Sequence, residues 1–222
     1  MGHRMSACSK FSVLVSHVSH RFRQLSLRTP LLWTRLSYKQ PKEQNEVFVS
    51  RSGQLDVEVA VAGYPGKPRS VDKLSSFLQL TGPISDRWST LIILNDAHVL
   101  GVMTDLGLTN FPHLQYIYHQ HGKDVRAEDL EWETPLLSQF EGYSSSFLRD
   151  DLSPYLSQLT SVKLAFSEDQ DFNVASLAQV LYRTSSLQDY LWNSGIVTLP
   201  RNISWLVGCF LLRNRSPFIS SG

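Results

Sequence analysis

The chain has 222 residues, of which 42% are hydrophobic and 18% charged, and its net charge is +1. That composition suits a folded globular protein and argues against a disordered one, and the near-neutral sum provides no overall field for nucleic acid or a membrane surface. The charge is unevenly spread: residues 1–42 hold eight Lys or Arg and no Asp or Glu, whereas the remaining 180 hold 13 basic and 20 acidic residues. The two cysteines, Cys8 and Cys209, are too few for a disulfide framework or a zinc site and read as reduced intracellular thiols.

The first predicted element is a helix. Between Phe11 and Leu27 apolar residues fall at Phe11, Leu14, Val15, Val18, Phe22 and Leu25, and spacings of three and four put them on one helical stripe. Arg21, Arg23, Gln24 and Arg28 lie mostly off it. Pro30 stops the helix, because proline lacks an amide donor and disfavours helix at Thr29. A second helix is expected from about Glu43 to Arg51, ending near Gly53, with Val47 and Phe48 on its buried side. An ordinary helical hairpin packing its stripe on its own domain satisfies this pattern. An acid-free N terminus containing Arg and Ser is also how a mitochondrial transit peptide reads, in which case residues 1–40 are removed.

The string from Val18 to Leu36 contains Val18-Ser19-His20-Arg21-Phe22-Arg23 and then Thr29-Pro30-Leu31-Leu32-Trp33. It resembles the second half of an F-box, V-C-x-x-W-R-x-x-A followed by P-x-L-W-x-x-I. Ser19 stands where that family usually has Cys and Phe22 where it usually has Trp; Phe keeps a large apolar side chain. The family's opening helix, with its L-P-x-E signature, is not seen in Met1–Lys10, so the box is expected to be truncated or degenerate. The resemblance, to basidiomycete F-box-like proteins, continues through Arg51-Ser52, Leu55-Asp56-Val57 and Arg87-Trp88, and covers roughly residues 13–94. It implies a docking module that binds the Skp adaptor of a cullin–RING ubiquitin ligase, with Val18, Phe22, Leu25, Leu32 and Trp33 forming the box core and adaptor-facing surface.

Next in the chain, Leu55, Val57, Val59 and Val61 alternate with Asp56, Glu58 and Ala60, which predicts a half-buried strand. From residue 86 onward the L-x-x-L-x-L pattern of leucine-rich repeats recurs. It is carried by Trp88, Leu91 and Ile93; by Leu114, Ile117 and His119; by Leu137 and Phe140; by Leu159, Val162 and Leu164; and by Leu187, Tyr190 and Trp192. Successive units start at offsets of 26, 23, 22 and 28 residues. Segments 97–104 and 174–182 are expected to be helical between them. A strand-plus-helix unit cannot bury its own apolar face, so neighbours share a core. The alternative is a conventional α/β domain with parallel strands. No polar terminal cap is evident after Trp205, so a truncated end or one that needs a partner is expected.

Motifs for chemistry are weak. There is no G-x-S-x-G elbow. Gly63-Tyr64-Pro65-Gly66-Lys67-Pro68 lacks the Ser or Thr and the glycine spacing of a phosphate loop and reads as a surface turn. His113, His119 and His121 cluster, but no third metal ligand is placed by the sequence, so solvent-facing histidines are expected. Glu168-Asp169-Gln170-Asp171 lacks the glycine and distal glutamate of a calcium loop. Basic and aromatic residues interleave over 21–39 without any nucleic-acid-binding motif. The run Ile203–Leu212 is about half the length that spans a bilayer, and the Asn202-Ile203-Ser204 triplet matters only in a secreted chain.

These readings converge on an α/β chain, a short N-terminal helical F-box-like remnant followed by a leucine-rich-repeat-like solenoid. Its segments are 1–45 (box), 46–85 (helix–strand connector) and 86–222 (degenerate repeats). The expected role is a protein-interaction adaptor resembling the substrate receptor of a cullin–RING ligase, or a repeat scaffold outside the ubiquitin pathway. No catalytic residue, cofactor or metal is expected, nor a nucleic-acid or membrane partner. Tyr116, Tyr118, Tyr190 and Trp192 are candidate contacts to a target protein, because Tyr and Trp bury large area and keep a polar tip; repeat core is their other reading. The expected location is cytoplasmic or nuclear, with mitochondrial as the alternative.

Overall fold

The computed structural model describes residues 11–62, 68–94, 99–120, 132–143, 156–166 and 189–194. Residues 11–18 (α1) and His20–Leu27 (α2) are separate helices. Ser19, at φ −160° and ψ 166°, breaks them apart and caps α2, its hydroxyl accepting the Phe22 amide at 3.3 Å. The continuous stripe expected over 11–27 is therefore interrupted, because a capping serine in extended conformation outweighs the apolar periodicity. Pro30 opens a 3₁₀ turn, Pro30–Trp33. Then come β1 (Arg35–Ser37), α3 (Lys42–Ser52) and β2 (Val57–Ala62). α4 (Pro68–Thr81), a 3₁₀ turn (Gly82–Arg87), β3 (Trp88–Leu94) and α5 (Val99–Asp105) follow. The remaining strands are β4 (Tyr116–Gln120), β5 (Gln139–Tyr143), β6 (Ser161–Phe166) and β7 (Asp189–Ser194).

The seven described strands form one parallel sheet in chain order. One row of register positions is almost fully buried: Val59, Leu91, Ile117, Phe140 and Val162. Val61, Ile93, His119 and Leu164 form the next such row. The helices bury Phe48 from α3, Leu74, Phe77 and Leu78 from α4, and Val99, Leu100 and Met103 from α5 in the same core. Right-handed crossovers between strands in sequential order keep helices on one face. Among the described strands the order never reverses, so the sheet has no switch-point crevice of the kind that holds nucleotides in doubly wound folds.

This architecture corrects the expected solenoid. The α/β character holds, but there is no leucine-rich-repeat domain set apart from a helical box. The sheet begins at Arg35, outside the repeat pattern, and β1 and β2 pair in it like the later strands. The crossovers are unlike one another, with helices of 11, 14 and 7 residues among them. The apolar spacing marks where buried parallel strands fall: Thr90, Tyr116, Gln139, Ser161 and Asp189 pair in succession at the same offsets of 26, 23, 22 and 28. It does not specify what crosses between them. The helix expected over 97–104 corresponds to α5, and the segments 174–182 and 203–212 lie outside the described residues.

Buried polar groups stitch elements to the sheet. Asn45, 1% exposed, accepts the Ser37 amide at 3.2 Å and donates to the Ser37 carbonyl at 3.1 Å, so an α3 side chain satisfies backbone groups of the edge strand β1. The Arg87 guanidinium donates to the Leu55 carbonyl from Nε (2.9 Å) and Nη2 (2.6 Å), and to Ser52 Oγ from Nη2 at 2.8 Å. α3 stops at Gly53, whose φ of +61° costs glycine little. An aromatic file lies where the chain turns into the strands: Trp88 stacks on Phe111 (5.3 Å, 21°), which meets Trp132 edge-on (5.2 Å, 69°).

Candidate functional site

Helix α2 is packed with its apolar side outward. Its buried residue is Ser26, 1% exposed, whose hydroxyl donates to the Arg23 carbonyl at 2.9 Å. Phe22 and Leu25 are 48% and 54% exposed. α1 repeats the arrangement: Ser12 is buried and donates to the Leu32 carbonyl, whereas Phe11, Leu14 and Val18 are 57–67% exposed. Spacings of three and four put those three on one stripe of α1. Leu31, on the 3₁₀ turn, is 72% exposed. With Leu27 at 37%, seven large apolar side chains thus stand in solvent within 21 residues that carry Arg21, Arg23 and Arg28 and no acid. Scattered single exposures need no explanation, whereas these fall close together in the chain.

The expected box set divides. Val18, Phe22 and Leu25 lie on the exposed helices. Leu32 is partly buried against the core, and Trp33 is inside it at 1% exposure. The Trp33 indole N–H donates to the Ser26 carbonyl at 2.8 Å, its ring meets Phe48 edge-on at 5.1 Å, and the Arg51 guanidinium lies 4.5 Å above it. Hydrophobicity alone gave no means of separating Trp33 from Phe22. The separating signal is local: Ser26 is a small residue on one side of α2, and a small residue on a helix face lets a neighbouring backbone or ring approach.

On the opposite side of the sheet from the helices, Tyr116 and Tyr118 are half-buried, and Glu141 and Tyr143 lie beside them on β5. The Tyr116 hydroxyl donates to Glu141 Oε2 at 3.0 Å. Burial, then the nearby Glu141 carboxylate, hold the Tyr116 phenol well above its ordinary pKa; the same causes raise Tyr118. Glu141 and Tyr143 were not singled out in the sequence, although the offset of 23 residues from Tyr118 points to Glu141. Tyr190 and Trp192 pair in register with Val162 and Leu164, a different row from Tyr116 and Tyr118. Their side chains lie outside the described residues. Comparison with known protein families, with curated proteins and with solved structures finds no match.

The described histidines His113 and His119 do not converge. His119 is fully buried on β4, which corrects its solvent-facing reading, because it occupies the inward row with Ile93 and Leu164. His113 is exposed, 3.4 Å from Asp56, and His121 lies outside the described residues. Among the described residues no group of three or more metal-ligating side chains occurs, and no described helix is long and apolar enough to cross a membrane. The turn at 63–67 and the acidic run 168–171 also lie outside the described residues.

Proposed function

We propose that this chain is a protein-interaction adaptor that docks through α1, α2 and the Leu31 turn and holds a target on the open side of its sheet. The observation that carries the reading is the outward apolar side of α2, which buries a serine and exposes Phe22 and Leu25. The F-box-like string makes the Skp adaptor of a cullin–RING ligase the proposed partner, with Val18, Phe22, Leu25 and Leu31 at the contact. Tyr116 and Tyr118, with Tyr143 beside them, are the proposed target contacts. Catalysis belongs to the ligase in this reading, and no cofactor is invoked. Cytoplasm or nucleus is the compartment that goes with it.

Two other readings are weighed by the same residues. The break at Ser19 falls inside the first part of the box-like string, parting Val18 from Phe22, and favours a scaffold whose apolar face meets some other protein. Removal of residues 1–40 as a transit peptide would take β1, Trp33 and Leu36 out of the sheet and core, which counts against import with cleavage there. The test is co-purification of the full chain with its host's Skp adaptor beside a Phe22→Asp/Leu25→Asp variant. Binding that the variant loses supports the ligase adaptor; absence of binding by the native chain refutes it and leaves the scaffold.

A further inference from the structure

Helices α1, α2 and α3 enclose a cleft of about 190 Å³, ample for several waters or a polyatomic anion. Its floor is Trp33. His17, Arg23 and Arg51 reach it from three different helices, and no acidic residue lines it. Among the described residues neither Arg23 nor Arg51 lies within ion-pair distance of a carboxylate. The acids of α3 are elsewhere: Glu46 lies 3.9 Å from Lys42, and neither Glu43 nor Glu46 lines the cleft.

Arg51 is held in a defined pose. Its guanidinium carbon lies 4.5 Å from the centroid of the Trp33 ring, and that ring is held by its bond to the Ser26 carbonyl. A planar fork of N–H groups matches phosphate oxygens two at a time. Assembling like charges around one cleft without a counter-charge is unfavourable unless an anion neutralises them.

We infer that this cleft is a phosphoryl-binding site in which Arg23 and Arg51, with His17 beside them, hold a phosphorylated serine or threonine of a partner segment. The cations account for the phosphoryl group. Val13, Leu27 and Val47, also in the lining, give apolar contact to the residues that flank it, which inorganic phosphate cannot use. Arginine clusters of this kind recognise phosphorylated motifs in unrelated folds. The inference stands on the cleft and does not rest on the adaptor reading.

The test is calorimetric titration of the full chain with a nine-residue peptide carrying one phosphoserine between leucine and valine. The unphosphorylated peptide is run beside it, and inorganic phosphate is used as competitor. We expect binding of the phosphorylated peptide alone and displacement by phosphate. Arg23→Gln and Arg51→Lys are each expected to weaken it by about tenfold to a hundredfold, the loss of a charge-assisted hydrogen bond. Arg21→Gln, the same change of charge outside the cleft, leaves it within about threefold, since one screened surface charge is worth little. Thermal melts establish that each variant is folded, and displacement by phosphate in the native chain tests the site without any substitution. Equal binding of both peptides, equal loss in Arg21→Gln, or no binding of either anion overturns the inference. Binding of inorganic phosphate without the peptide overturns the peptide as its source.

Discussion

Trp33 offers the sharpest test of where the docking face ends and the core begins. Trp33→Phe keeps a buried ring but removes the indole N–H, leaving the Ser26 carbonyl without its 2.8 Å donor. That carbonyl keeps the Thr29 amide at 3.2 Å, so the loss is that of one net hydrogen bond, about 0.5–1.5 kcal/mol. For a chain of this size each kcal/mol lowers Tm by about 2–4 °C. Trp33→Ala also empties the space at 1% exposure and removes the edge contact to Phe48 and the cation–π contact with Arg51. Aromatic-to-alanine changes in cores cost about 3–5 kcal/mol, a large share of the roughly 5–15 kcal/mol that holds a domain folded. Urea denaturation followed by circular dichroism measures both. The midpoint should fall modestly for Trp33→Phe and severely for Trp33→Ala. Unchanged midpoints with loss of adaptor binding would place the indole on the docking surface and refute the assignment.

Three further outcomes are expected. Ser26→Leu, although it makes α2 more apolar, should destabilise by about 1–3 kcal/mol through overpacking, read as a lower Tm; a stabilised variant would show that α2 does not pack on its serine side. Arg87→Met leaves Leu55 O and Ser52 Oγ without their charged donor, a loss of about 3 kcal/mol visible in the urea midpoint, and a neutral result would mean that these bonds do not form. Because Tyr116 holds its proton more tightly folded than unfolded, its contribution to stability is complete below the ordinary phenol pKa of 10.0 and falls as pH rises beyond it. Urea midpoints between about pH 8 and 11 should therefore decline less steeply above pH 10 in Tyr116→Phe than in the native chain; superimposable curves would remove Tyr116 as the cause.

The strands were legible because a strand buried on one face has a period that few other structures share. Leu91, Ile117, Phe140 and Val162 occupy adjacent inward positions of neighbouring strands, as their spacing implied. β1 was not legible, since Arg35-Leu36-Ser37 is too short to show alternation and is held by a side chain, Asn45, from the next helix. The proposed docking residues were half legible. Apolar spacing identified Phe22 and Leu25, but the same spacing arises from a core stripe, and only the packing of Ser26 against Trp33 decides which way α2 faces. Arg51 and Arg23 carried no signal, because their shared cleft depends on three helices coming together.

The sequential parallel order bears on how the chain assembles during synthesis. Each described strand after β1 pairs with the described strand before it, from Arg35 with Glu58 to Ser161 with Asp189. No strand has to wait for a distant partner, so each loop closed is short and its entropic cost is small. The sheet can therefore grow outward from β1 as the chain leaves the ribosome, with β2 docking before β3 exists. At each stage one fresh strand edge stands open at the growing end, and that edge, not the finished surface, is where a nascent copy is most exposed to pairing with its neighbour.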